Sequence, residues 1–141
     1  MSPLIFAPGD TFLMPSGPRS APDINHLAIA LTANHEQGGM PKTLVVTVTT
    51  NRGARLTDNA CILRQGDHPF IKSVSFVLYA EALILDIKRI EKGLHREGWR
   101  RKDPLTPALL KRVTLGLENS ARTPIKALLF FDDWCQNGVG A

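Results

Sequence analysis

Thr43-Leu44-Val45-Val46-Thr47-Val48-Thr49-Thr50 decides the fold. Every residue in this stretch except Leu44 is β-branched, and no glycine or proline interrupts it. Two heavy atoms on Cβ stiffen χ1 and suit a pleated surface better than a helix, so the stretch predicts a strand. Asn51-Arg52-Gly53 is its expected end. Working upstream, Asn34 to Pro41 contains Gly38-Gly39 and reads as a loop. His26 to Thr32, bounded on both sides by turn formers, predicts a buried strand. Ser16 to Asp23 reads as a loop, and Asp10 to Pro15 as a strand that Pro15 stops. Five of the ten prolines precede Ile24, so this end consists of short extended pieces and turns.

Downstream, Ala60 to Leu63 predicts a short strand and Gln65-Gly66-Asp67-His68-Pro69 a turn. Ser75 to Tyr79 reads as strand. The continuation to Ile90, with Ile84, Leu85, Ile87 and Ile90, is read as bent strand rather than helix. One helix stands out, Pro107 to about Ser120. Thr106 is placed to cap it, Pro107 suits its first position, and Leu110, Val113 and Leu117 recur on one face. After Pro124, Ile125 to Phe131 is an apolar segment, strand or short helix, and the tail from Asn137 reads as loose. The expected fold class is mainly β with one or more helices: a small antiparallel barrel with a C-terminal helix packed on it. The expected organisation is a single domain over 1–141, with the barrel at about 8–92 and the helical portion at about 104–131.

The chain of 141 residues is 43% apolar, enough for one core. Its apolar runs, such as Ala82 to Leu85 and Ala127 to Phe131, fall far short of the ~20 residues that cross a bilayer. Met1 to Gly9 lacks a basic and apolar leader pattern, which predicts no signal peptide, no membrane partner and a cytoplasmic location. Cys61 and Cys135 fit no zinc or redox spacing. Cys61, between Ala60 and Ile62, reads as a small buried hydrophobe, and Cys135 as a free thiol.

The net charge of +4 is unevenly spread. Asp86 to Lys126 holds eleven Lys and Arg against five Asp and Glu, a net of +6, leaving −2 for the rest. The excess peaks at Arg96, Arg100, Arg101 and Lys102, with Trp99 among them. Such a cluster suits phosphate contacts with a base stacked on the indole; a solvated loop whose arginines serve solubility is the alternative.

Pro8-Gly9-Asp10-Thr11-Phe12-Leu13 resembles the strand opened by Gly-Asp and an aromatic with which MazF/PemK-type toxins begin. The order that follows is also similar: a Pro/Gly loop, the apolar strand at His26 to Thr32, a β-rich strand ending in Thr49-Thr50, and Ile71-Lys72-Ser73-Val74-Ser75-Phe76-Val77. The resemblance covers roughly residues 8 to 92. It implies an SH3-like barrel, cleavage of single-stranded RNA, an antitoxin protein as partner, and a homodimer. Where the family carries an Arg-Pro pair with a principal catalytic arginine, this chain has Asn25-His26.

RNA cleavage without a metal needs a base for the 2′-hydroxyl, an acid for the leaving oxygen and a cation for the phosphate. The candidate catalytic residues are His26, Thr49, Thr50, Asp67 and His68; the candidate RNA-binding residues are Lys72, Arg96, Trp99, Arg100, Arg101 and Lys102. Histidine suits the work because its ordinary pKa lies near neutrality. His35, in an expected loop, and His95 read as solvated. His26 also reads as a structural hydrogen-bonding residue opening its strand, and Asp67 as a turn cap. No metal or other cofactor is expected: the histidines at 26, 35, 68 and 95 form no helical ligand pair. The rival reading is the same barrel without chemistry, binding nucleic acid or a protein partner.

Overall fold

The structure is a computed structural model that describes residues 4–15, 25–50 and 57–137. The loop expected at Ser16 to Asp23, the turn at Asn51 to Gly53 and the tail beyond Asn137 lie outside the described residues. The fold is mainly β: an antiparallel, barrel-like sheet with C-terminal helices packed on it.

The chain runs through strands β1 (Thr11–Pro15), β2 (Asn25–Ala30), β3 (His35–Gln37), β4 (Met40–Thr50), β5 (Ile62–Leu63) and β6 (Ser75–Val77). A 3-10 turn at Tyr79–Glu81 leads to β7 (Leu83–Asp86), helix α1 (Ile87–Arg96), β8 (Arg100–Lys102), α2 (Pro107–Asn119) and α3 (Ile125–Asn137). The main path through the sheet is β5-β6-β4-β2-β1-β8. The long β4 organises it. Val48 pairs with Leu27 on one edge and Val77 on the other, and Val45 pairs with Leu83 opposite the β2 edge. One strand thus holds β2 and β3 on one side and β6 and β7 on the other.

Both faces of this strand are covered, so Thr43 to Val48 are buried without interruption. Leu44, Val46 and Val48 join Leu27, Ile29, Leu31 and Leu13 in a core closed by Leu109, Val113 and Leu117 of α2 and Ala127, Phe130 and Phe131 of α3. On the other face, Val45, Ala28 and Ala30 meet Phe6, Phe12, Trp99 and Ile87 and Ile90 of α1. The small side chains of that second face leave room for aromatic rings. Phe12 stacks on Trp99 with centroids 5.9 Å apart.

The helix at Pro107 forms as expected. Thr106 Oγ1 accepts from the Leu109 N–H at 3.2 Å, and Pro107 occupies the first turn. Ile125 to Phe131 proves helical and extends to Asn137. Two expectations need correction. The strand reading of Ser75 to Ile90 fails at the 3-10 turn Tyr79–Glu81 and again beyond Asp86, where Ile87, Ile90 and Gly93 recur on the buried side of α1 while Lys88, Arg89 and Glu91 face away or outward. The expected loop at 34–41 contains a hairpin instead. Gly38 and Gly39 take φ of +63° and +79°, the left-handed pair that lets two strands turn back at once.

Candidate functional site

The sheet opens at the end where β2 begins and β4 finishes. β1 pairs Met14 with His26 and Pro15 with Asn25, while β6 pairs Phe76 with Thr49 and Ser75 with Thr50. Continuing the β2–β4 register, in which Leu27 faces Val48, sets His26 beside Thr49 and Asn25 beside Thr50. The segment Phe70 to Ser75 forms the opposite wall. The result is a cleft of about 500 Å³ lined by Asn25, His26, Thr49, Thr50, Lys72 and Ser73, among others. Four residues singled out from sequence therefore meet in one space: His26, Thr49, Thr50 and Lys72. Hydroxyls, an imidazole and an ammonium line it, and among the described residues no carboxylate does.

His26 is half-buried, and burial pulls its pKa below the ordinary 6.5, with Glu81 acting weakly in the opposite sense. Its imidazole is accordingly neutral at pH 7 and able to accept a proton. Lys72 and Ser73 are exposed between buried Ile71 and buried Ser75, so the wall is anchored at both ends.

Phe70 and Lys72 also line a second cleft of about 270 Å³ with His68, Pro69, Lys102 and Asp103. The two clefts share a wall and follow one another across the surface. Arg100 and Lys102 are exposed on β8, which pairs with β1 at the end of the main sheet path. Arg101 is committed elsewhere: it donates to Asp10 Oδ2 at 2.8 Å, and its guanidinium lies over the Phe6 ring.

Other candidates are not brought to this site. His68 is buried. Its Nδ1 accepts from the Phe70 N–H at 3.0 Å, so Nε2 carries the proton and donates to the Asp103 carbonyl at 2.7 Å. With both ring nitrogens engaged it fastens the loop to the end of β8. Asp67 is likewise a turn residue: its Oδ2 accepts from the Arg64 N–H at 2.8 Å, and Arg112 lies 3.5 Å from Oδ1. Trp99 cannot stack a base, because it is 6% exposed, packed on Phe12 and covered by Arg89 at 4.7 Å. Arg96 lines a separate depression on α1 with Glu91, Lys92 and His95. His35, expected to be solvated, packs edge-on against Phe130 and bonds Asp133 at 2.6 Å, tying β3 to α3. That bond holds the Asp133 carboxyl below its ordinary range.

Cys61 is buried as expected, and burial pushes its thiol pKa up, which keeps it unreactive at neutral pH. Among the described residues, no three His, Cys, Asp or Glu side chains converge to hold a metal ion, and no helix is long and apolar enough to cross a membrane.

The Gly-Asp pair carries a local structural duty. Gly9 turns at φ +95°, and Asp10 Oδ2 accepts from the Ala7 N–H at 2.8 Å, closing the turn into β1. The residue that sequence reasoning missed is Phe70. Its place after His68-Pro69 was visible, but not that it would stand exposed between two clefts. No family model, curated protein or solved structure matches the chain.

Proposed function

We propose that the cleft binds single-stranded RNA and cleaves it without a metal ion, and that the chain is a divergent, SH3-like relative of the MazF/PemK-type toxins acting in the cytoplasm. The observation that carries this reading is the meeting of His26, Thr49, Thr50 and Lys72 around one space, with no carboxylate among the described residues that line it. An anionic phosphodiester meets there a cation, hydroxyl donors and a neutral imidazole, and no like charge among the described residues of the wall repels it.

In the proposed reaction His26 takes the proton from a ribose 2′-hydroxyl. The 2′-oxygen attacks the adjacent phosphorus, and the bond from phosphorus to the 5′-oxygen breaks. A 2′,3′-cyclic phosphate and a 5′-hydroxyl result. Lys72 stabilises the charge on the phosphoryl oxygens and supplies the proton to the departing oxygen, while the Thr49 and Thr50 hydroxyls position the phosphate. In this reading His26 stands in for the catalytic arginine of the family. The reading also implies an antitoxin that occludes the cleft, and a homodimer.

A second reading, a binding module without chemistry, is favoured by one observation. The engagement of both His68 nitrogens leaves His26 as the one imidazole among the described residues that line the cleft. Incubation of the protein with mixed-sequence RNA, divalent ions chelated, separates the two. Cleavage by the parent and its loss in His26→Ala, at an unchanged Tm, is the expected result. Cleavage retained by that variant removes His26 from the mechanism, and absence of cleavage by folded parent protein favours the module.

A further inference from the structure

Phe70 is an exposed aromatic on a braced loop. Its own N–H donates to His68 Nδ1 at 3.0 Å, and the next N–H, that of Ile71, donates to the His68 carbonyl at 2.9 Å. His68 is held in turn to Asp103, whose carbonyl also accepts from Thr11 Oγ1 at 2.6 Å. Pro69 restricts the backbone on one side, and buried Ile71 anchors it on the other. A phenyl ring in so fixed a place, 37% exposed rather than folded into either core, presents a face that water solvates poorly.

Its neighbours give that face a partner of definite chemistry. Phe70 and Lys72 belong to both clefts, and Lys102 lines the second alone. Two ammonium groups thus share these clefts with the ring, that of Lys72 in both and that of Lys102 in the second. Alternation of cation and aromatic is what a single strand requires, because phosphates alternate with bases along it. Resting on the reading of the first cleft as an RNA site, we propose that Phe70 stacks a base next to the phosphate held at His26 and Lys72, and that the second cleft holds the following nucleotide against Lys102. His68 is then a positioning residue that sets the platform. Asp103, also in the second cleft, disfavours a phosphate directly over it and confines the strand to the Lys102 side.

The test is binding of a labelled single-stranded RNA in which every 2′-hydroxyl is replaced by fluorine, so that it cannot be cleaved, beside the same strand lacking its bases. Phe70→Ala and Phe70→Leu are compared with Phe70→Trp. Stacking contributes enough per base that removal of the ring weakens binding about five- to hundred-fold. The expected result is that loss in both the Ala and Leu variants, near-parental binding by the Trp variant, and no difference among any of them on the base-free strand. The Leu variant keeps the apolar bulk, so its failure isolates the aromatic face from loop collapse. Parental affinity in Phe70→Ala, or an equal loss on the base-free strand, overturns the platform. Intact Phe70 dependence in a protein that does not cleave ordinary RNA retains the platform and rejects only the chemistry. No binding of either strand by the parent rejects both.

Discussion

His26 and His68 show how one residue type is sent to two fates by its surroundings. His68 has both nitrogens committed to hydrogen bonds within the fold. His26 faces the cleft, with burial holding its pKa below 6.5. The sign of the consequence follows. The unfolded chain binds a proton at this residue near the ordinary value, and the folded chain only at lower pH. Between the two midpoints the unfolded state holds more protons. The neutral residue thus costs the fold nothing above pH 6.5, and stability falls as the pH drops through the window below it. An NMR titration of the ring protons is expected to give a His26 midpoint under 6.5. Glu81→Gln is expected to lower it further, because the carboxylate favours the charged form. If the enzyme reading holds, the acid limb of kcat/KM follows the same midpoint. A midpoint at or above 6.5 would contradict the burial of the ring. From sequence both histidines are candidates, His26 ahead of His68. What separates them is Asp103, whose carbonyl is 35 positions away, and no local pattern carries that information.

At the scale of elements, legibility followed the range of the interactions that decide each one. The strand at Thr43 to Thr50 was readable because its β-branched side chains act within the strand itself, and α2 because its cap and first-turn proline are local. The hairpin strand His35–Gln37 has no strand-favouring residue and exists because β4 pairs with it. Helix α1 was misread because Leu83 to Asp86, directly before it, is strand; the later spacing of Ile87, Ile90 and Leu94 was the available signal. Trp99 lay among arginines, but its packing partner Phe12 comes from the other end of the chain. Two glycines mark how closely the helices approach. A Cβ on Gly93 would collide with the Trp99 ring, and one on Gly116 with the Tyr79 phenol. Gly→Ala in a helix interior favours the helix by about 1 kcal/mol, while forced overpacking costs about 1–3 kcal/mol. At Gly116 the collision should win, because the Tyr79 hydroxyl donates to the Val113 carbonyl at 2.5 Å and the ring is wholly buried. Gly116→Ala is therefore expected to lower stability in denaturant melts. Combined with Tyr79→Phe, which deletes the nearest clashing atom, it should cost less than the two single changes summed. Strict additivity would mean that the ring has room to move.

Across the whole molecule, the position of each charge matters more than the net +4. The basic third of the chain is divided by the fold. Arg96 goes to the outer side of α1, Arg101 to Asp10, and Arg89 to Glu97 and the Trp99 ring. Lys72, from outside that third, joins Lys102 at the clefts, with Arg100 exposed two positions before Lys102 on β8, and among the described residues these three form no ion pair. A sequence count of the cluster thus overstates the cations available to a polyanion and omits the one nearest the candidate chemistry. The difference is measurable. Each phosphate neutralised on a single strand releases counterions and adds about −0.7 to the slope of log K against log salt concentration. Three cations predict a slope near −2, whereas engagement of the whole basic cluster would make it distinctly steeper. Lys72→Gln and Lys102→Gln should each flatten the slope by about 0.7, and Arg96→Gln should leave it unchanged. Affinity measured across a salt series for the four proteins decides the matter. A response to Arg96 as large as that to Lys72 would place the strand across α1 rather than along the two clefts, because no single short track shares residues with both surfaces.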